Sequence, residues 1–407
     1  MTRSSRCLLV SSIFPPINGG SAVVYENMAR FGEGDIVVLA PYRHYQTGHV
    51  LVGWLDLDKA APYTVHRMEL LRPRELRHGS RLRSAWAFLT EDLPLKARII
   101  ARVAAIVRRE NIGVLCIGEL NSGSWIGSIA KRLFGCRIIN YIHGEEVTST
   151  VVYRFYGRNR RKYLQRADAV VAVSGFTKTA LVEMMDVPPD KIEVIFNGVD
   201  VERFAPRPKA HDLVERYGIG NRRVLLSVGR LIERKGIDQV LRALPRLLDR
   251  HPDLHYLVVG EGPDRERLEG IAREAGVAGR VTFTGPVPGD RLGDHYALCD
   301  LFVLPNRQLA DGDTEGFGLV FLEANACGKP VIGGRAGGAV EAVHDGRSGL
   351  LVDGTSVDEI AAAIDRILGD EGLYARLSEG GLRLAQASGW DSRARQFRDL
   401  CRRVAAA

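Results

Sequence analysis

Short apolar, β-branched runs alternate with helix-length amphipathic segments along almost the whole chain, which constrains the fold to βαβ units around parallel sheets. Strands covered on both faces read as nearly continuous hydrophobic runs. Such runs occupy Cys7–Ile13, Ile36–Ala40, Val114–Ile117, Arg137–Ile142 and Ala169–Val173, then Val224–Val228, His255–Val259, Val281–Thr284, Leu301–Leu304, Pro330–Gly333 and Gly349–Val352. The pattern predicts two consecutive α/β sets, of about five strands and then six. Between them Gly198, Pro206 and Pro208 bar continuous helix and sheet, and the domain boundary is placed there. The expected division is residues 1–203, 204–385 and a closing segment 386–407, where Phe397, Leu400 and Val404 share one face of a helix beginning near Trp390. Open α/β sheets take ligands in the loops beyond the carboxyl ends of their strands, so the chemistry is sought in post-strand loops of both halves.

With 407 residues the chain is too long for a single small binding module. Its six cysteines lie far apart without a C-x-x-C pair and mostly in apolar runs, so they read as reduced core thiols of a cytoplasmic protein, not a disulfide framework or zinc site. No apolar stretch reaches the length of a membrane helix, and Cys7-Leu8-Leu9-Val10 is too short for a signal sequence and reads as a first buried strand. The net charge of +7 is uneven. Residues 1–200 hold 27 basic and 19 acidic side chains, and residues 59–109 hold twelve and four. Residues 151–166 add six basic side chains, no acid, and Tyr153, Phe155, Tyr156 and Tyr163. Such patches attract anionic surfaces; a solvated helix face is the alternative.

After Val224–Val228 come Gly229-Arg230 and Lys235-Gly236, so a guanidinium, an ammonium and the N–H groups of the next helix can converge on a phosphate. After Leu301–Leu304 the chain reads Glu315-Gly316-Phe317-Gly318-Leu319, with Glu323 eight residues beyond Glu315. One carboxylate thus lies in a loop and the other inside the following helix; ionised carboxylates accept hydrogen bonds from sugar hydroxyls. In the first half, Gly19 and Gly20 form a strand-to-helix turn that permits close approach to a ligand, and His143 ends a strand beside Glu145 and Glu146. Gly337-Gly338 with Glu341 is either a ligand contact or only a tight loop. Taken one at a time, these features also fit surface cations, helix caps and ordinary turns.

Other motifs are absent. Cys327-Gly328-Lys329-Pro330 lacks the first glycine and the hydroxyl of a phosphate-binding P-loop, and Gly260-Glu261-Gly262 lacks the third glycine of a dinucleotide fingerprint. Asp311-Gly312-Asp313 has the spacing of a metal-dependent sugar transferase but is read as loop chemistry, so no metal site is expected.

Together these segments resemble the retaining nucleotide-sugar glycosyltransferases of family 4. The resemblance runs over nearly the whole chain, through Phe14-Pro15-Pro16 with Gly19-Gly20, Asn197-Gly198-Val199-Asp200, Gly229-Arg230 with Lys235-Gly236, Gly260-Glu261-Gly262-Pro263, and Glu315 with Glu323. It implies the GT-B fold: two Rossmann-like α/β/α domains facing across a deep cleft, the first binding the acceptor and the second the donor, with the C-terminal helix crossing back to the N-terminal domain. It further implies that Arg230 and Lys235 hold the donor diphosphate. Glu315 with the backbone of Phe317, Gly318 and Leu319 would face sugar and phosphates, and Glu323 the ribose. Gly19 and Gly20 would meet the donor, Val287 the nucleobase, and His143 the sugar and acceptor.

The implied reaction is metal- and cofactor-independent transfer of a hexosyl unit from a UDP- or GDP-sugar, with same-face attack by a hydroxyl of a glycan, lipid-linked or small-molecule acceptor. The basic N-terminal face suggests peripheral contact with an anionic membrane, on its cytoplasmic side, through residues such as Arg72, Arg74, Arg77, Arg81 and Arg83. No nucleic-acid partner is expected, because the basic and aromatic residues form no known recognition module. A nucleotide-sugar epimerase or hydrolase on the same fold, or a non-catalytic anion-binding protein, are the alternatives.

Overall fold

The computed structural model describes residues 4–73, 86–149 and 159–407. Arg74, Arg77, Arg81, Arg83, Tyr153, Phe155 and Tyr156 lie outside them. The chain forms two compact units, one of Met1–Val147, Val151–Phe196 and Trp390–Ala407, the other of Thr148–Thr150 and Asn197–Gly389. The units therefore divide at Asn197 and again at Trp390.

The first unit is built on a parallel sheet of seven strands, β1 (Cys7–Val10), β2 (Ile36–Pro41), β3 (Val65–Met68), β4 (Val114–Ile117), β5 (Arg137–Ile142), β6 (Ala169–Ala172) and β7 (Ile192–Val194), in the order β3-β2-β1-β4-β5-β6-β7. Five strands were expected. The additional two are the sheet edges: every residue of β3 is half-buried, and β7 has three residues, so neither shows the continuous apolar run of a central strand. The helix Leu93–Arg109 places Leu95, Ile99, Val103 and Ile106 on one face at helical spacing, and these pack with Leu8, Val10, Val37, Leu39, Leu115 and Ile117. Burying each of the larger side chains contributes roughly 1.5–3 kcal/mol.

The C-terminal helix Trp390–Ala406 belongs to this unit, as expected, and buries Phe397, Leu400 and Val404. Its Phe397 ring lies 6.0 Å from Tyr141, and Arg398 pairs with Glu33.

The second unit carries a parallel sheet of six strands, β8 (Val224–Val228), β9 (His255–Val259), β10 (Val281–Gly285), β11 (Leu301–Leu304), β12 (Val331–Gly334) and β13 (Gly349–Val352), in the order β10-β9-β8-β11-β12-β13. In both sheets the order reverses beside the first strand, between β1 and β4 and between β8 and β11. Loops leaving adjacent strands in opposite directions open a crevice there, the usual ligand position in such a sheet. All six cysteines are buried, and no described helix is long and apolar enough to cross a membrane.

Candidate active site

In the second unit the reversal brings together the loop after β8, with Arg230 and Lys235, and the loop after β11, with Glu315. Lys235 is buried, and its ammonium donates to Glu315 Oε2. Burial alone pushes the Glu315 carboxyl up, but the charges of Lys235 and Arg234 and the Lys235 hydrogen bond outweigh it and hold it below its ordinary value. Glu315 is therefore an anion at neutral pH. Arg234 donates to Asp313 Oδ1 at 2.5 Å and to the Thr314 carbonyl at 3.2 Å. Asp311 accepts the Asp313 N–H at 3.0 Å, so one carboxylate of the Asp311/Asp313 pair is engaged by its own loop and the other by Arg234 of the loop after β8. Arg230, by contrast, is exposed and forms no ion pair among the described residues.

Two glycines are required by this packing. Gly236 has φ 72°, and a Cβ there would lie 2.1 Å from the Pro305 carbonyl oxygen, so the β8 and β11 loops meet only because the side chain is absent. Gly337 has φ 58°, and a Cβ would lie 2.2 Å from the Glu315 carbonyl oxygen, which also accepts the Gly338 N–H at 2.8 Å. The Gly337-Gly338 turn, ambiguous in the sequence, buttresses Glu315.

Gly318 opens the helix Leu319–Ala326, beneath which Phe317 is buried. Glu323 lies within that helix and is buried; its Oε2 accepts from the Tyr296 hydroxyl at 2.7 Å. Burial raises its pKa, against the lowering effect of Tyr296 and Arg203. Val287 is half-buried in the loop after β10.

In the first unit, Gly19 and Gly20 are exposed at the start of the helix Gly20–Arg30, after β1. Gly19 is extended, and a Cβ there would meet nothing within 4 Å. Neither its own backbone nor its neighbours demand a glycine. Arg67 on β3 holds the preceding loop: it donates to the Pro15 carbonyl at 2.8 Å, to the Pro41 carbonyl at 2.8 Å and to both oxygens of Asp58. Half-buried Glu119, just after β4, accepts from Ser11 Oγ at 2.6 Å and from the Ser12 and Ile13 N–H groups at 2.8 and 3.2 Å.

His143 leaves the end of β5. Its Nε2 is 2.8 Å from the Tyr25 hydroxyl and its ring stacks on Tyr141 at 5.3 Å. Tyr25 uses its one proton on the Gly118 carbonyl, so its oxygen accepts from His143. His143 is thus the Nε2–H tautomer, which leaves Nδ1 as an acceptor. Burial depresses His143 to about 4, keeping it neutral, and raises Glu146, whose carboxylate accepts the His143 N–H at 3.2 Å, to about 7.

Sequence reasoning located the loops but missed Tyr25, Arg67, Glu119, Arg234 and Tyr296. No local signal marks them, since Tyr25 and His143 are 118 positions apart and Arg234 and Asp313 are 79 apart.

The sequence model described as "Glycosyl transferases group 1" matches residues 212–383, and that of "Glycosyltransferase Family 4" matches residues 55–203. The chain is 34% identical over 397 residues to the GDP-mannose-dependent alpha-(1-6)-phosphatidylinositol monomannoside mannosyltransferase of Mycolicibacterium smegmatis, covering 96% of both chains. It is 32% identical to the D-inositol 3-phosphate glycosyltransferase of Acidothermus cellulolyticus, over 83% of this chain and 79% of the relative. Among solved structures it is similar to Anabaena HepE in complex with UDP and glucose, with a TM-score of 0.77 at 21% identity over 97% and 98% of the two chains.

Proposed function

The chain belongs to glycosyltransferase family 4, and from that premise we propose that it is a retaining, metal-independent enzyme that transfers a mannosyl unit from GDP-mannose to a hydroxyl of an inositol-bearing glycolipid. The mannosyltransferase and inositol-phosphate relatives support the donor and acceptor classes. The observation that carries the chemistry is the meeting of Lys235 with Glu315 beside the exposed Arg230, where the loops after β8 and β11 converge.

Breaking a glycosyl–phosphate bond leaves negative charge on the diphosphate. Fixed cations placed there lower the barrier because that charge is larger in the transition state than in the ground state. Arg230 and Lys235 supply those cations. Glu315, held ionised, accepts from the sugar hydroxyls, with the backbone of Phe317, Gly318 and Leu319 against sugar and phosphates. Glu323 binds the ribose hydroxyls, Val287 lies along the base, and Gly19 and Gly20 allow the donor to approach their backbone. His143 Nδ1 accepts a hydroxyl of the sugar or acceptor. The anomeric carbon–phosphate oxygen bond breaks as the acceptor oxygen bonds to that carbon from the same face, and the acceptor proton passes to the departing phosphate. The engagement of Asp313 by Arg234 supports a donor site that works without a metal ion.

Calorimetric binding of GDP, UDP and ADP in excess EDTA tests this, with GDP expected to bind most tightly and Arg230→Ala and Lys235→Ala each to abolish measurable binding. Binding that requires divalent metal would overturn the assignment. Mannose released from GDP-mannose at the same rate with and without a phosphatidylinositol mannoside would point to a hydrolase instead.

A further inference from the structure

Two buried charges that the donor-site residues leave unused meet at the root of the loops after β8 and β11. Asp238 is 3% exposed and Arg307 8%, although they are 69 positions apart in the chain. Asp238 stands in the first turn of the helix Ile237–Arg250, three residues beyond Lys235, and Arg307 stands three residues beyond β11. The guanidinium grips the carboxylate with both prongs, Nη1 to Oδ1 at 3.0 Å and Nη2 to Oδ2 at 3.1 Å, and Nη2 also lies 3.4 Å from Glu233 Oε1. The Arg307 N–H donates to the Arg234 carbonyl at 2.8 Å. Arg242 donates to Asp238 Oδ2 at 2.8 Å, and Arg267 lies 4.0 Å from it.

The single helical turn Glu233–Lys235 is thereby fastened to the β11 loop through the Glu233 carboxylate, the Arg234 carbonyl and, just beyond the turn, Asp238. Lys235 leaves from this turn. Taking two charges out of water costs about as much as their attraction returns, so a buried ion pair is a poor device for stability alone. A planar, two-pronged contact instead fixes both distance and angle. Asp238 also places a negative charge in the first turn of the helix whose N–H groups would meet a diphosphate together with Lys235, and a charge left uncancelled there would oppose that anion. Arg307 is itself no ligand for the diphosphate, since it is buried with both prongs on Asp238.

We propose that Arg307 is a positioning residue of the donor site. Acting through Asp238 and the Arg234 carbonyl, it sets where the Lys235 ammonium stands for the diphosphate, and its charge cancels that of Asp238. The inference rests on the donor-site reading given above, in which Lys235 holds the diphosphate.

The test combines Arg307→Met with Asp238→Asn, which removes both charges from the interior, so that a stranded carboxylate does not confuse loss of folding with loss of placement. Denaturant unfolding measures stability, and calorimetry measures binding of GDP and of guanosine monophosphate, which lacks the second phosphate. Arg307→Met alone is expected to be less stable than the parent, and the double variant to recover most of that loss. Its affinity for GDP should nevertheless stay about tenfold below the parent's, the scale of a small misplacement of a binding group, while its affinity for the monophosphate is unchanged. Parent-level GDP binding by the double variant overturns the proposal. Equal losses for GDP and the monophosphate do so too, because a general loosening of the unit would weaken both. Lys235→Ala separates this inference from the one beneath it. If that variant binds GDP like the parent, the donor-site reading itself fails; if it does not bind while the double variant binds at parent level, only the positioning role of Arg307 fails.

Discussion

The Tyr25 hydroxyl stands 2.8 Å from His143 Nε2 and gives its own proton to the Gly118 carbonyl, so it sets the tautomer of a histidine that the fold keeps neutral. Tyr25→Phe leaves a half-buried N–H and a buried carbonyl without their partner. A loss of about 1–3 kcal/mol in stability is expected. If Nδ1 receives a substrate hydroxyl, kcat falls as His143 reorients while the KM for acceptor shifts little. An unchanged kcat would leave Tyr25 a purely structural residue.

The two groups shifted most in opposite senses near this site, His143 and Glu146, make opposed contributions to pH dependence. His143, lowered to about 4, contributes stability that is complete above pH 6.5 and is lost as pH falls towards 4. Glu146, raised to about 7, contributes stability that is complete below pH 4.5 and is lost as pH rises towards 7. Between pH 4.5 and 6.5 the two nearly cancel. Glu146→Gln removes the second and should expose a loss of about 3 kcal/mol on acidification across that window. Denaturant melts at several pH values, parallel for the variant and the parent, would contradict this.

Lys235 has both a structural and a ligand role, which a double-mutant cycle separates. Lys235→Ala leaves the largely enclosed Glu315 with only the Arg234 charge to hold it and should cost about 2–3 kcal/mol. Adding Glu315→Gln removes the stranded charge and should recover much of that loss, with a coupling energy measured by unfolding. Nucleotide binding should not return in the double variant. Its return would remove Lys235 from the donor site.

Gly19→Ala isolates a ligand contact, because the added Cβ meets no protein atom within 4 Å and the backbone is already extended. Thermal unfolding should change by no more than about 0.5 kcal/mol. Affinity for the nucleotide sugar should drop by tenfold or more if the donor packs on that backbone, and calorimetry with the intact donor checks it.

Arg230→Lys keeps the charge but not the planar fork. With the side chain exposed and outside any ion pair among the described residues, stability should be unaffected. Diphosphate recognition should weaken by about 1–2 kcal/mol, the cost of replacing a two-pronged donor with a point charge. An equal affinity for GDP would show that only the charge matters there.

What the sequence alone determined was whatever neighbouring residues state locally. Central strands such as Val114–Ile117, Arg137–Ile142, Val224–Val228 and Leu301–Leu304 were legible to the residue, since burial on both faces demands a nearly continuous apolar run. The loops after them followed, and with these the positions of Arg230, Lys235, Glu315 and His143. The edge strands β3 and β7 were not legible, because a half-buried strand tolerates His66, Arg67 and Glu193. Tertiary structure alone decided that Lys235 would meet Glu315 across 80 residues, that Arg234 would engage Asp313, and that Tyr25 would orient His143. These pairings depend on which strands lie side by side where the sheet order reverses, and a carboxylate acquires its charge state from the burial and cations it finds there.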